Sequence, residues 1–262
     1  MTRRGVAGWT KLALLSSALC TEAEAWMPSP RLAQCRCASF SLASTTLPPV
    51  SSSTLESDAT VTVDESGARS MFGTKEYWDE TYAGRGDFPA DCYSWYYGWD
   101  VLNKHVKHFI PNKTKRILVP GVGNDSLLVD LVQAGYRNLV GQDYSEHAVE
   151  RQEDLMFQVD GAEEVSMLQG DVTNLPDDWT ASFDAVIEKG LLDAVYLSGD
   201  GNVEKATAEL FRVLKPGGVF VSVSGVVPED LRRQLAAKME WLRDGTDDLQ
   251  AGCFVWQKVG TK

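Results

Sequence analysis

The sequence predicts an α/β domain built on a mostly parallel sheet with helices on both faces. Three observations predict it. From Arg116 onward, short apolar runs alternate with longer amphipathic ones, the pattern of strands joined by crossover helices. The run Val219–Ser224 is valine-rich and continuous, as a strand covered on both faces should be. Between the first strand and helix stands "ILVPGVGNDS" (117–126), with Gly121 and Gly123 one residue apart, a turn that brings backbone close to a ligand.

In chain order, "GTKEYWDETYAG" reads as a short amphipathic helix and turn, and "YSWYYGWDVLNKHVKHFI" as an aromatic cluster passing into a helix. Strand Arg116–Val119 precedes a helix near Asp125–Ala134, stopped by Gly135. Strand Leu139–Gln142 precedes helix Glu146–Gln158. Strands Val165–Gln169 and Phe183–Glu188 follow, separated by a loop. Helix Val203–Leu214 ends at "KPGG", before strand Val219–Ser224. Helix Asp230–Glu240, a short segment near Trp241 and a last strand Cys253–Val259 complete the domain. A chain of 262 residues has room for one such domain with a substantial core.

Residues ahead of about 70 read differently. "MTRRGVAGWTKLALLSSALCTEAEAW" has a basic start, a short apolar run and an A-x-A site, so 1–25 reads as a signal-peptide-like segment. The Ser-, Thr-, Ala- and Pro-rich stretch over 26–69 cannot bury a core and reads as a transit-like leader. Together they resemble the two-part plastid address of algae with secondary plastids; a mitochondrial presequence or a cytoplasmic protein are the alternatives. The body of the chain is 70–262, with an aromatic cap over 70–112.

Charge is divided unevenly. Residues 1–50 carry a net +3, so the remainder carries −15 of the formal −12. An acidic body argues against nucleic-acid binding, which needs a basic footprint, and suits a cationic partner. No other apolar run is long enough to span a membrane, and the five cysteines and three histidines show no metal-ligand spacing. Neither a membrane partner nor a metal is expected.

The strand ends describe a ligand. A phosphate loop would place Lys-Ser/Thr after its last glycine, and here Asn124 and Asp125 stand instead. Helix N–H groups from about Asp125 would suit a weaker anion such as an amino-acid carboxylate. Asp143 lies 22 residues after Gly121, where an acid accepts the hydrogen bonds of a ribose diol. Asp171, ending the third strand in "QGDVTNL", can accept from an adenine amine. An adenosine without a pyrophosphate fits this set, and S-adenosyl-L-methionine (AdoMet) is that molecule.

These pieces, with "VLKPGG" (213–218), resemble class I AdoMet-dependent methyltransferases. "EYWDETYAG", "YSWYYGW", "ILVPGVGNDSL", "GQDYS" and above all "FDAVIEKGLLDAV" (183–195) are similar to one branch, which includes the lysine methyltransferases of translation elongation factor 1-alpha. The resemblance runs from Thr74 to the C-terminus. It implies a Rossmann-like seven-stranded sheet with the last strand antiparallel. It places AdoMet contacts on Trp78, Tyr82, Trp95, Gly121, Asp143, Tyr144, Asp171, Val172 and Lys189. It also implies methyl transfer to a protein lysine amine, with an elongation factor as a possible protein partner.

For that chemistry, Trp95, Tyr96, Tyr97 and Trp99 are expected to wall the acceptor entry and to desolvate a lysine ammonium. Glu188 and Asp193 are the candidate catalytic proton acceptors. Three rivals stay open. A small-molecule methyltransferase of the thiol or halide type shares the first motif but not "EKGLLDA". An NAD dehydrogenase would carry a third glycine where Leu127 stands. A non-catalytic AdoMet-binding module would keep the fold without the reaction.

Overall fold

The structure is a computed structural model that describes residues 67–260 apart from 87, 90, 200 and 246–250. The leader expectations for residues 1–66 lie outside the described residues. The N–H of Arg69 donates to the carbonyl of Leu197 at 2.8 Å.

The elements follow the local chemistry of the chain. A 3-10 turn at Met71–Gly73 leads into α1 (Lys75–Tyr82), capped by the Thr74 hydroxyl, which accepts from Tyr77 N. Helix α2 (Trp99–Phe109) carries Lys107 and His108 in its last turn, where positive charge suits the helix dipole. Then come β1 (Ile117–Pro120), α3 (Leu127–Gln133), β2 (Leu139–Asp143), α4 (Glu146–Phe157), β3 (Ser166–Gln169) and β4 (Phe183–Lys189). Next are α5 (Leu191–Leu197), α6 (Asn202–Val213), β5 (Leu214–Ser224), α7 (Glu229–Leu235), β6 (Met239–Asp244) and β7 (Gly252–Lys258).

The seven strands form one sheet in the order β3-β2-β1-β4-β5-β7-β6. Strands β1 to β5 are parallel, and β7 runs antiparallel to both β5 and β6. The expected sheet, with its last strand antiparallel, is therefore present. Chain order reverses between β1 and β4, which opens a crevice at their carboxyl ends.

Side-chain alternation divides the interior into two cores. Ile117, Val119, Ala185, Ile187, Val221 and Val223 point to the face covered by α2 and α3. Leu118, Val186 and Phe220 point to the other face, beneath α6 and the aromatic stack of Phe254 and Trp256. Strand β1 is buried at all four positions, which explains why its sequence is apolar without a break.

Three boundaries differ from the sequence expectation. The helix expected over Asp230–Glu240 stops at Leu235, and the following residues enter β6, where Trp241 pairs with Trp256. Pairing with β7 overrides a helical pattern that continues through Trp241. The strand expected from Val219 begins at Leu214, with a register shift opposite Phe183 and Ala185 where the chain passes through Pro216 and Gly217. Helix α5 was not expected at all. Among the described residues no helix is long and apolar enough to cross a membrane, and no group of His, Cys, Asp or Glu could hold a metal ion.

Phe220 is fully buried on β5 and packs against Phe211 and Trp256. Phe220→Ala should lower the unfolding free energy by about 3–5 kcal/mol. Urea denaturation followed by circular dichroism reads this as a lower midpoint at an unchanged slope.

Candidate active site

The crevice at the strand ends is a cavity of about 470 Å³, in the size range of small-molecule sites. The turn after β1 forms its floor. Gly121 has φ +61 and Gly123 φ +49, both in the left-handed region that favours glycine. A Cβ on Gly121 would stand 2.8 Å from the Leu191 side chain, and one on Gly123 would stand 2.6 Å from the Tyr82 hydroxyl. Side chains at either position would push into the cavity wall. Helix α4 braces the turn from behind: Gln152 Nε2 donates to the carbonyls of Gly123 at 3.0 Å and Asp125 at 2.8 Å.

Two carboxylates face the cavity from β2 and β3. Asp143 Oδ2 accepts from Gly123 N at 2.9 Å and Oδ1 from Ser145 N at 3.0 Å, so the side chain is fixed and each oxygen keeps a lone pair. Burial pushes its pKa up to about 6, against the lowering effect of those backbone N–H bonds. Asp171 Oδ1 accepts from Thr173 N at 2.8 Å, and Val172 is buried beside it. Gln142 also reaches the cavity; its Nε2 donates to Gly170 O at 2.5 Å, while its buried Oε1 meets no partner.

The aromatic cap closes the opposite side. Trp78 Nε1 donates to Phe72 O at 2.8 Å, its ring stacks on Tyr82, and Trp95 meets it edge-on with centroids 5.8 Å apart. Phe72, Trp78, Tyr82, Trp95, Tyr96 and Tyr144 all line the cavity. Burial first, and then the charge of Asp143, hold the Tyr82 hydroxyl well above its usual pKa, so it stays protonated.

The nine residues expected to contact AdoMet all line this one cavity, although several do so with a different contact from the one the sequence suggests. Lys189 pairs with Asp125 Oδ2 at 2.7 Å and donates to Ser94 Oγ at 3.0 Å and Trp95 O at 2.7 Å. Two hydrogen bonds and one ion pair of its ammonium thus tie the cap to the end of β4. The start of α3 is also taken: Asp125 Oδ1 accepts from Leu127 N at 2.9 Å, so that amide is not offered to a ligand carboxylate.

The acceptor wall needs correction. Trp95 and Tyr96 line the cavity, whereas Tyr97 is buried in the core and Trp99 packs against that same core at the start of α2. Phe72, from the 3-10 turn, takes the place expected of them. Sequence reasoning missed both Phe72 and Gln142. An acidic or aromatic residue at a strand end is a visible signal, but a phenylalanine in a short turn is not.

The catalytic expectation is corrected too. Glu188 is fully buried and does not line the cavity: Oε1 accepts from Ser222 Oγ and Oε2 from Leu192 N at 3.2 Å. Asp193 does line the cavity, but five donors converge on it. Oδ1 accepts from Ser224 Oγ and the N–H groups of Val226 and Val227, and Oδ2 from Gly225 N and Tyr96 Oη. A carboxylate has about four lone-pair sites, so none is left for a substrate proton.

The donor set fits AdoMet. Two glycines admit its backbone-hugging part, Asp143 and Asp171 have lone pairs to spare for a diol and an exocyclic amine, and aromatic walls suit a nucleoside. Among the described residues Lys189 is the one cationic side chain on the lining, and it is committed to Asp125, so a pyrophosphate would meet no free countercharge there. Four aspartates on the lining (Asp125, Asp143, Asp171 and Asp193) favour a cation such as a sulfonium.

Burial, with Asp193 nearby, pushes the Glu188 pKa up to about 8 despite the Ser222 hydrogen bond. The unfolded chain releases this proton near the ordinary glutamate value, so the native state binds more protons between about 4.5 and 8 and loses stability as pH rises through that window. Glu188→Gln mimics the protonated form. It should gain stability relative to the unsubstituted chain, by about 1 kcal/mol or more, as pH is raised from about 5 to about 8. Urea midpoints at several pH values check this, and parallel curves for the two proteins would contradict it.

Comparison with known proteins places this geometry. The family model described as a methyltransferase domain matches residues 111–260. The human eEF1A lysine and N-terminal methyltransferase is 32% identical over 160 residues, 58% of this chain and 22% of that protein. This chain therefore spans about a fifth of that relative's length. The zebrafish EEF1A lysine methyltransferase 2 is 30% identical over 176 residues, 62% of this chain and 73% of that protein. Among solved structures, the cyclase SpnF superposes with a TM-score of 0.52 at 17% identity, covering 71% of this chain and 94% of that one. The structure titled for conversion of a disulfide bond into a thioacetal group during echinomycin biosynthesis matches at 0.52 and 18%, covering 71% and 93%. At those identities the likeness shows the fold alone, and function rests on the site and the family. The chain belongs to the methyltransferase domain family.

Proposed function

We propose that this enzyme methylates an amine on a protein, a lysine side chain being the acceptor class. The observation that carries this reading is the combination of acidic and aromatic lining in the cavity. A lysine ammonium is attracted by the aspartates and held by the faces of Trp95 and Tyr96. The likeness to eEF1A lysine methyltransferases supports the same class, and an elongation factor is the first protein to try.

The residues of the chain divide the work. Asp143 and Asp171 would hold the ribose and adenine of AdoMet, and Gly121 and Gly123 would admit the rest. When bound, AdoMet supplies a methyl group already activated on a sulfonium. Leu191, Leu197 and Phe72 add apolar lining that would desolvate a bound amine. That desolvation favours the neutral amine, whose unperturbed pKa is about 10.4. Alignment of donor and acceptor inside a dry cavity is then the main source of rate.

Residues 1–69 support a plastid address. A fluorescent fusion of that segment should enter plastids in an alga with secondary plastids, and uniform cytoplasmic or mitochondrial signal would overturn the proposal.

Two measurements address activity. Asp143→Ala should weaken AdoMet binding at least tenfold by calorimetry, since a hydrogen-bonded diol partner contributes roughly 1.5 kcal/mol or more. Incubation of the full chain with tritiated AdoMet and cell lysate should yield methyl-lysine after protein hydrolysis. Label confined to small molecules would refute the protein-lysine reading and leave the methyltransferase assignment intact.

A further inference from the structure

We propose that Tyr96 receives the methyl acceptor: its hydroxyl oxygen accepts an N–H from the incoming amine, while Asp193 positions that hydroxyl by accepting its hydrogen bond. The inference rests on the amine reading above and deepens it by naming the group that selects the acceptor's chemistry.

Tyr96 is unusual in its backbone. It has φ +66, a left-handed conformation that is a genuine outlier for a bulky residue and persists only when its surroundings hold it. Such outliers concentrate at functional sites, and this one lies on the cavity lining. What holds it is the bond from Tyr96 Oη to Asp193 Oδ2, across 97 positions of sequence. Lys189 holds the adjacent residue through the carbonyl of Trp95. The ring faces Gly190, where φ is +80 and a Cβ would sit 3.5 Å from the tyrosine ring.

The same carboxylate shapes the opposite wall. Asp193 accepts from the consecutive amides of Gly225, Val226 and Val227, each at 2.8 or 2.9 Å, and so fixes the loop between β5 and α7. Val226 lines the cavity and is 44% exposed, which marks this end as open to solvent. Arg232, buried beneath, donates to Ser224 Oγ at 3.0 Å, and Ser224 donates to Asp193 Oδ1 at 2.8 Å. Tyr96 and Val226 therefore flank the entry end of the cavity, and one buried carboxylate sets both.

The chemistry follows from where the phenol proton goes. Asp193 is saturated with donors: it accepts the Tyr96 hydroxyl's hydrogen bond and offers a substrate nothing. Burial, followed by the charge of Asp193, raises the Tyr96 pKa, which keeps the proton in place across the working range. The Gly225 N–H, shared with Asp193, also reaches Tyr96 Oη, and what remains there is one lone pair. It can accept a hydrogen bond and cannot donate one. An amine has an N–H to give while its own lone pair points elsewhere, toward the methyl donor. A thiolate or carboxylate brings only lone pairs and would face the phenol oxygen without a shared proton. Tyr96 thus favours amine acceptors and turns their lone pair away from itself.

Tyr96→Phe keeps the ring and removes the oxygen. The full-length chain and this variant are compared in three measurements: calorimetric AdoMet affinity, initial rate of methyl-lysine formation in lysate protein, and methylation of 2-mercaptoethanol. AdoMet affinity should stay within about twofold, and the rate of methyl-lysine formation at limiting lysate should fall roughly tenfold to a hundredfold, the range expected for a hydrogen bond to a polar or charged partner. A purely structural role would instead lower the thermal midpoint and AdoMet affinity together. Loss of AdoMet affinity would place Tyr96 in the cofactor site and overturn the proposal. Methyl-lysine formation at the unsubstituted rate would overturn it and leave the function standing. Methylation of the thiol with no methyl-lysine from the unsubstituted chain would overturn the function and this inference together.

Discussion

The geometry of the site depends on the Asp143 carboxylate and the two amides it accepts, Gly123 N at 2.9 Å and Ser145 N at 3.0 Å. These bonds join the turn after β1, the end of β2 and the start of α4. They give a buried charge the partners it needs and only partly offset its burial, because its pKa remains raised to about 6. They add to the Val122 N–H bond to the Gln142 carbonyl at 3.1 Å in setting the distance of the glycine turn from the second strand. With them, floor and wall of the cavity move as one unit, and a ligand binding both pays little for ordering them.

Around this unit the cap is held by charge and the acceptor end by hydrogen bonds. Lys189 pairs with Asp125 and donates to Ser94 and Trp95, which ties the aromatic cluster to the tip of β4. Asp193 gathers five donors from Tyr96 and the β5–α7 connection. Both belong to the string "EKGLLDA", so one short segment organises two walls of the cavity. Buried charges that are fully paired in this way are costly to break and serve to fix geometry.

Much of this was legible in the sequence, for identifiable reasons. The strand ends announced themselves because buried parallel strands are apolar and their ends are not: Gly121 and Asp143 stand where the buried runs of β1 and β2 stop, and Asp171 follows the edge strand β3. The mostly parallel sheet followed from the alternation of strands and helices, and its antiparallel last strand from the resemblance. The roles of Glu188 and Asp193 were not legible. Both are acids next to a cavity in the linear view, and only the fold reveals that one faces Ser222 behind the wall and the other is saturated. Tyr96 meets Asp193 across 97 residues, a pairing that no local pattern encodes. Helix α7 and β6 were confused for a related reason, since the partner of β6 lies in the last strand. Tyr97 and Trp99 look like cavity aromatics in the string "YSWYYGW", yet the left-handed turn at Tyr96 directs the chain after it into the core.

The central claim is that the ends of β1, β2 and β3 jointly grip one AdoMet molecule. Amide hydrogen exchange of the full-length chain, with and without saturating AdoMet, tests it most directly. Exchange should slow together at residues 121–125, 142–145 and 171–173. Protection confined to one of those three segments, or absent from all of them, would contradict the account.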